Sequence, residues 1–294
     1  MDNLPEDETV AEPLPEPPVT VRSYPGIAQS IGLCVIFYCL VLFAMIPLEL
    51  FEHFGKLPLG RSTSLLISQL VAWPLTIWVT LLGAGCSFRE ACPLTRFPLR
   101  IVPPLLVASV GAWILLIEVA IHIPMPESLR KYFEAQSTDR GSAVFFISVV
   151  ILAPLAEELF FRGQVLRGFL GRYSVTKSIW ASAVMFALVH LNPWQALVAL
   201  PVGLACAWMA IRTGSLIPGI LCHAMVNLTP TCLIEPLLRA LNYDDEKLKL
   251  ASHTPPAILA IGVAMAAIGG FILWRQVDCL PAPQSPGQTI NAEA

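Results

Sequence analysis

Apolar residues run through this chain in long blocks separated by short polar breaks. A helix that crosses the hydrocarbon core of a bilayer needs roughly 20 mostly apolar residues. Eight segments qualify: about 27–50, 64–86, 101–123, 143–166, 177–191, 195–212, 215–238 and 257–277. The fifth is short with polar flanks, and the sixth and seventh are nearly continuous, so seven to nine spans fit the pattern. The expected fold is all-α: a polytopic membrane helical bundle of about eight transmembrane helices, built as a single transmembrane domain over 25–277. Pro47, Pro74, Pro154 and Pro201 fall inside apolar blocks. They predict kinks or helix breaks, which a membrane tolerates where protein or a water-filled cavity satisfies the freed backbone groups.

Residues 1–24 are acidic and proline-rich and lack the basic start and apolar centre of a signal peptide. They are expected to form a disordered tail, and 278–294 a second one. The loop 124–141 (PMPESLRKYFEAQSTDRG) suits a short amphipathic interfacial helix, and 239–256 is polar with mixed charges. Composition agrees with a membrane protein: 55% of residues are hydrophobic and 13% charged, where a soluble domain is about a quarter charged. The net charge of −3 and the lack of a basic tract argue against a nucleic-acid partner. The eight cysteines include no C-x-x-C pair and mostly fall in apolar blocks. They read as small buried hydrophobes rather than a disulfide framework or a zinc site. Threading eight spans leaves a slight excess of Lys and Arg on the side of both termini, pointing to cytoplasmic termini in a bacterial inner membrane.

One block, AVFFISVVILAPLAEELFFRGQVL, carries two adjacent carboxylates, Glu157 and Glu158. A charge at the bilayer centre costs roughly 2.5–3.5 kcal/mol on insertion scales, so such a pair needs partners or a task. Two later blocks bring candidates: His190 in FALVH, and His223 with Asn227 in HAMVN. Glu158 and Arg162 are four apart and can form an ion pair on one helix face. Neighbouring residues diverge by about 100°, so Glu157 points elsewhere, with no charge partner in its own turn. A desolvated carboxylate of that kind suits a general base. His223 and Asn227, also four apart, can face one cavity and donate hydrogen bonds to a developing oxyanion, each such donor being worth roughly 3–4 kcal/mol. His190, four residues after Phe186, can reach the same cavity from another helix and help Glu157 hold a water. Activated water on one side and oxyanion donors on the other is the layout for amide hydrolysis.

The plainer account is that buried polar residues bridge helices by hydrogen bonds. Glu158 and Arg162 suit that account best, but it must explain several costly groups at helix-compatible spacings on three blocks. A non-catalytic membrane scaffold or bacteriocin-immunity protein is one alternative. An ion- or proton-coupled transporter is another, disfavoured by the lack of an internal repeat. Glu118 and His122, four apart at the end of the third block, read as an interfacial pair. Trp73 and the other tryptophans are assigned to packing or interfacial belts.

Taken together, Glu157-Glu158-x-x-x-Arg162, Phe186-x-x-x-His190 and His223-x-x-x-Asn227 resemble the three-motif signature of the CPBP family. That family takes in the type II CAAX prenyl endopeptidases and the Abi, bacteriocin-processing or immunity proteins. The resemblance covers about 143–235. It implies an intramembrane endopeptidase in which Glu157 activates water with His190, His223 and Asn227 stabilise the oxyanion, and Glu158 and Arg162 support the site. The family is commonly labelled metalloendopeptidase, yet the chain has no H-E-x-x-H zinc motif. Glu157, His190 and His223 are the residues able to hold a zinc ion. The same residues serve a metal-free mechanism, which is the favoured reading. The implied partners are the lipid bilayer and a membrane-associated protein or peptide substrate, prenylated and CaaX-like among type II relatives.

Overall fold

The computed structural model describes residues 23–55, 60–127, 129, 131, 142–234, 236–237 and 254–280. Eight apolar helices account for the eight blocks: α1 (Ile27–His53), α2 (Arg61–Ala84), α3 (Val102–Ile121), α4 (Ala143–Leu170), α5 (Val175–Leu188), α6 (Pro193–Thr213), α7 (Ile217–Leu228) and α8 (Pro256–Asp278). There is no strand among the described residues, and the expected all-α membrane bundle is the architecture observed. Six of the eight helices are long and apolar enough to cross a membrane, whereas α5 and α7 are shorter. A π-helical stretch, Thr229–Ile234, prolongs α7. The expected tails, the interfacial helix in 124–141 and the polar loop 239–256 fall largely outside the described residues.

Local sequence explains the helix ends. Gly85 and Gly214 close α2 and α6 in the left-handed conformation, at φ 56° and 64°, which glycine adopts without a Cβ clash. Asn192 opens α6: its Oδ1 accepts from the backbone of Trp194 and Gln195, and Pro193 fills the first helical position, where no N–H is needed. Helices run unbroken past Pro47, Pro74 and Pro201. The departure from α-geometry falls instead around Pro154, in α4, which alternates between α and π turns.

Burial separates lipid-facing from protein-facing surfaces. α1 is the most apolar span but buries only Ser30, Leu33 and Cys34, and Phe43 is 77% exposed. A surface that apolar is stable against acyl chains, not water. α3 and α8 pack closely through small residues, as membrane helices do. A Cβ added at Gly111 would lie 2.3 Å from the Ala266 backbone nitrogen and 2.6 Å from the Gly262 carbonyl. Gly111→Ala is therefore expected to destabilise the bundle by at least about 1–3 kcal/mol, the usual cost of overpacking. Thermal unfolding in detergent reads this, and an unchanged melting temperature would contradict the close approach. Glu118 and His122 do pair, through the Glu118 carbonyl at 2.6 Å and its carboxylate at 3.9 Å. Glu118 also accepts from the Thr254 backbone, tying the end of α3 to the start of α8.

The aromatic core gathers on the second half of α4. Phe160, Phe161 and Phe169 are almost wholly buried there, together with Trp73 of α2 and Phe186 of α5. α4 contacts α2, α5, α6 and α7, so what it carries is placed between helices rather than towards lipid.

Candidate active site

The two glutamates of α4 take different environments, as their angular separation demands. Glu158 is 0% exposed. Its Oε1 accepts from Arg162 Nη1 at 2.9 Å and faces His223 Nδ1 at 3.1 Å. Arg162 also donates through Nη2 to the Gly203 carbonyl at 3.0 Å, and its guanidinium lies 4.4 Å from the Phe186 ring centroid. A buried charge pair survives only where the remaining lone pairs and protons find partners, and a planar guanidinium with several donors meets that need. Two glycines make the approach feasible. A Cβ at Gly203 would stand 3.1 Å from Arg162 Nη2, and one at Gly219 would stand 3.3 Å from Glu158 Oε2. Sequence reasoning passed over both. The available signal was a glycine inside an apolar helical block, a position with a conformational cost that close packing offsets.

Glu157 turns the other way. Its Oε2 lies 3.8 Å from His223 Nε2. His223 thus stands between the two carboxylates, one facing each ring nitrogen. If Nδ1–H donates to Glu158, the neutral ring presents a bare Nε2; it donates from Nε2 only when both nitrogens carry protons.

His190 follows the end of α5, and its Nδ1 lies 2.8 Å from the Phe186 carbonyl. A carbonyl only accepts, so Nδ1 carries the proton and the neutral ring leaves Nε2 as an acceptor. Phe186 stands edge-on to both imidazoles, with centroids 5.2 Å from His190 and 5.3 Å from His223. The Phe-x-x-x-His spacing therefore places a packing wedge as well as a histidine. Next in the chain, Leu191 has φ 52°, a left-handed value unusual for a branched residue, in the short turn between α5 and α6.

Asn227 has a backbone partner that its spacing did not reveal. Its Nδ2 donates to the Val149 carbonyl at 2.9 Å. Val149 lies in the first π stretch of α4, Phe146–Leu152, where the donor five residues on would be Pro154, which has no N–H. Asn227 fills that gap. Carbonyls of the second π stretch, Leu159–Val165, also take side-chain partners: Cys92 Sγ approaches the Leu159 carbonyl at 3.5 Å, and Ser182 donates to the Phe161 carbonyl at 3.2 Å. Burial, with a smaller contribution from Cys86, pushes the Cys92 thiol up to about 12 despite nearby Arg167, which keeps it a neutral donor. Of the eight cysteines, expected as small buried hydrophobes, Cys34, Cys92, Cys206 and Cys222 are buried and Cys86 half-buried, whereas Cys39, Cys232 and Cys279 are exposed.

A cavity of about 250 Å³ opens beside Glu157. Glu157 and His190 both line it, facing Tyr38 of α1 and Gln69 and Trp73 of α2. His223 and Asn227 are not among its lining residues. The structure therefore brings Glu157 together with His223 through the ring and with His190 through the cavity, and it holds Asn227 against the backbone of α4. A second cavity of about 390 Å³, almost wholly apolar, lies between α2 and α4 and shares Gln69 and Trp73 with the first. Among the described residues, no three His, Cys, Asp or Glu side chains converge as a metal ion requires. Glu157, His190 and His223 are near one another but not arranged as a ligand set.

Residues 139–229 match the family described as Rce1-like, type II CAAX prenyl endopeptidase. The match covers under a third of the chain and contains all three motifs. No curated protein and no solved structure matches the chain. The match supports the resemblance carried by the motifs: this is an integral membrane protein whose residues 139–229 are similar to the type II CAAX prenyl endopeptidases.

Proposed function

We propose that the protein is an intramembrane endopeptidase that hydrolyses a peptide bond of a membrane-associated protein. The observation that carries the proposal is that Glu157, whose Oε2 has no hydrogen-bond partner, and His190 line one cavity, beside a buried Arg162–Glu158–His223 chain. A water in that cavity donates one proton towards Glu157 and the other towards His190 Nε2. Its oxygen attacks the substrate carbonyl while Glu157 takes the proton and later returns it to the leaving amine. His223, protonated on both nitrogens, and the second N–H of Asn227 are the proposed oxyanion donors. Reaching the oxyanion requires substrate to enter between α4 and α7, since neither donor lines the cavity as it stands. The role of Glu158 and Arg162 is to hold His223 in place.

The second cavity supports a choice of substrate class. Its apolar walls suit a hydrocarbon chain, supporting a lipidated peptide, prenylated and CaaX-like. Burying each CH2 is worth about 0.8 kcal/mol, so a few sheltered carbons already favour a lipidated substrate more than tenfold. Purified protein in lipid vesicles is expected to cleave a farnesylated peptide at least tenfold more efficiently than the same peptide unmodified, with the broken bond located by mass spectrometry. Failure to break any peptide bond ends the proposal, and equal efficiency removes its lipid component. We further propose that no metal takes part. Turnover is then unchanged by a zinc chelator, and loss of activity restored by added zinc overturns that statement.

A further inference from the structure

Three residues that line the Glu157 cavity each carry a buried polar atom without a hydrogen-bond partner among the described residues: Gln69 Oε1, Trp73 Nε1 and Glu157 Oε2. The mechanism above uses only the third. A buried donor or acceptor left unmade is costly and rare, and two on residues that line one cavity call for a ligand that satisfies both. Trp73 is 5% exposed, and its ring is wedged between Phe37 of α1, 4.0 Å away by centroids, and Phe160 of α4, 5.9 Å away. Packing therefore sets the direction of its N–H. Gln69 precedes it by four residues, one turn away on the same face of α2.

The chemistry of the pair is specific. An indole nitrogen only donates, and the oxygen of a carboxamide only accepts. A donor and an acceptor one helical turn apart match the carbonyl and N–H of an extended peptide backbone. An anionic ligand would fit badly, because Glu157 is the one charged side chain lining this cavity among the described residues. Both residues also border the apolar cavity, so a backbone held here sits where the two cavities meet.

We infer that Gln69 and Trp73 are positioning residues that clamp the substrate backbone beside Glu157 and His190, Gln69 accepting from a peptide N–H and Trp73 donating to a peptide carbonyl. This rests on the endopeptidase reading. It makes recognition indifferent to side-chain identity, provided the side chains are not anionic, and it sets which peptide bond lies next to Glu157.

The test uses full-length protein in detergent and a fluorescein-labelled hexapeptide of Ala, Val and Leu. Companion peptides replace each backbone amide in turn by an ester, which removes one N–H. In a Glu157→Gln background, fluorescence anisotropy is expected to show one ester binding about three- to tenfold more weakly than the amide. Adding Gln69→Met should weaken the amide peptide by a similar factor and abolish the ester penalty. Trp73→Phe keeps the ring between Phe37 and Phe160; with Glu157 intact it should raise KM several-fold and change kcat little. An ester penalty as large in Gln69→Met as in its parent overturns the clamp, as does an unchanged KM in Trp73→Phe. Melting temperatures of both variants, expected within a few degrees of the parent, separate lost contact from lost fold. If the ester penalty depends on Gln69 but wild type cleaves no peptide, the clamp stands and the endopeptidase reading falls. If wild type cleaves peptides and no ester penalty depends on Gln69, the reverse holds. If wild type binds no peptide, both fall.

Discussion

Glu157→Gln is expected to lower peptide cleavage by about 10²–10⁴-fold, the span associated with losing a general base. At 1.36 kcal/mol per decade, that is about 3–5 kcal/mol of transition-state stabilisation. The substitution keeps size and shape and removes only the basic oxygen. Folding should barely change, because Glu157 Oε2 has no hydrogen-bond partner and its nearest charged neighbour, His223 Nε2, is 3.8 Å away. A melting temperature equal to or slightly above wild type fits a group retained for chemistry at some expense of stability. The comparison requires single-turnover cleavage and thermal unfolding on the same preparations. Undiminished cleavage removes Glu157 from the mechanism, while a collapse of the fold assigns it a structural role.

Arg162→Leu is expected to have the largest effect on stability, about 3–5 kcal/mol, because it leaves Glu158 as a buried carboxylate without its cation. Both side chains are essentially inaccessible, at 0% and 1% exposure, so solvent does little to screen the loss. Arg162→Lys should not rescue it, since an ammonium cannot reach Glu158, reach the Gly203 carbonyl and stack on Phe186 at once. The double replacement Glu158→Leu with Arg162→Leu removes both charges and should recover much of the stability lost by Arg162→Leu alone. It should not recover turnover, because His223 loses the carboxylate that fixes its ring. Unfolding in detergent across the four proteins of this cycle measures the coupling. A double variant no more stable than Arg162→Leu would mean the pair is not a self-contained unit.

The two predictions draw on different parts of the chain's legibility. Block length identified the eight apolar helices, six of them long enough to cross a membrane, and the four-residue spacing of Glu158 and Arg162 correctly placed an ion pair, because both are local properties of a helix. His190 at a helix end was readable from the Asn192-Pro193 start signal behind it. The placement of His223 between both carboxylates was not readable, since it depends on how α7 packs on α4. The backbone partner of Asn227 was unreadable for a related reason. Its spacing from His223 was legible, but the Val149 carbonyl that takes its N–H exists as an open acceptor only because α4 adopts π turns beside Pro154. Seven residues of π-helix leave no periodic trace in an apolar block. Gln69 and Trp73 were invisible as a pair, because burial without a partner is a property of coordinates, not of residue type.

The pairing within α4 bears on how the chain reaches its native state. Glu158 and Arg162 lie on the same rod, so this segment can cancel most of its own charge as it leaves the ribosome and enters lipid. His223 and Asn227 are synthesised some sixty residues later, at a few to twenty residues per second. For those seconds α4 waits with an open carbonyl at Val149 and an unbraced Glu158, and only the arrival of α7 closes both. Completion of the proposed site is therefore tied to the last third of translation, and a nascent chain truncated before α7 should insert yet remain inactive and vulnerable to quality-control proteolysis.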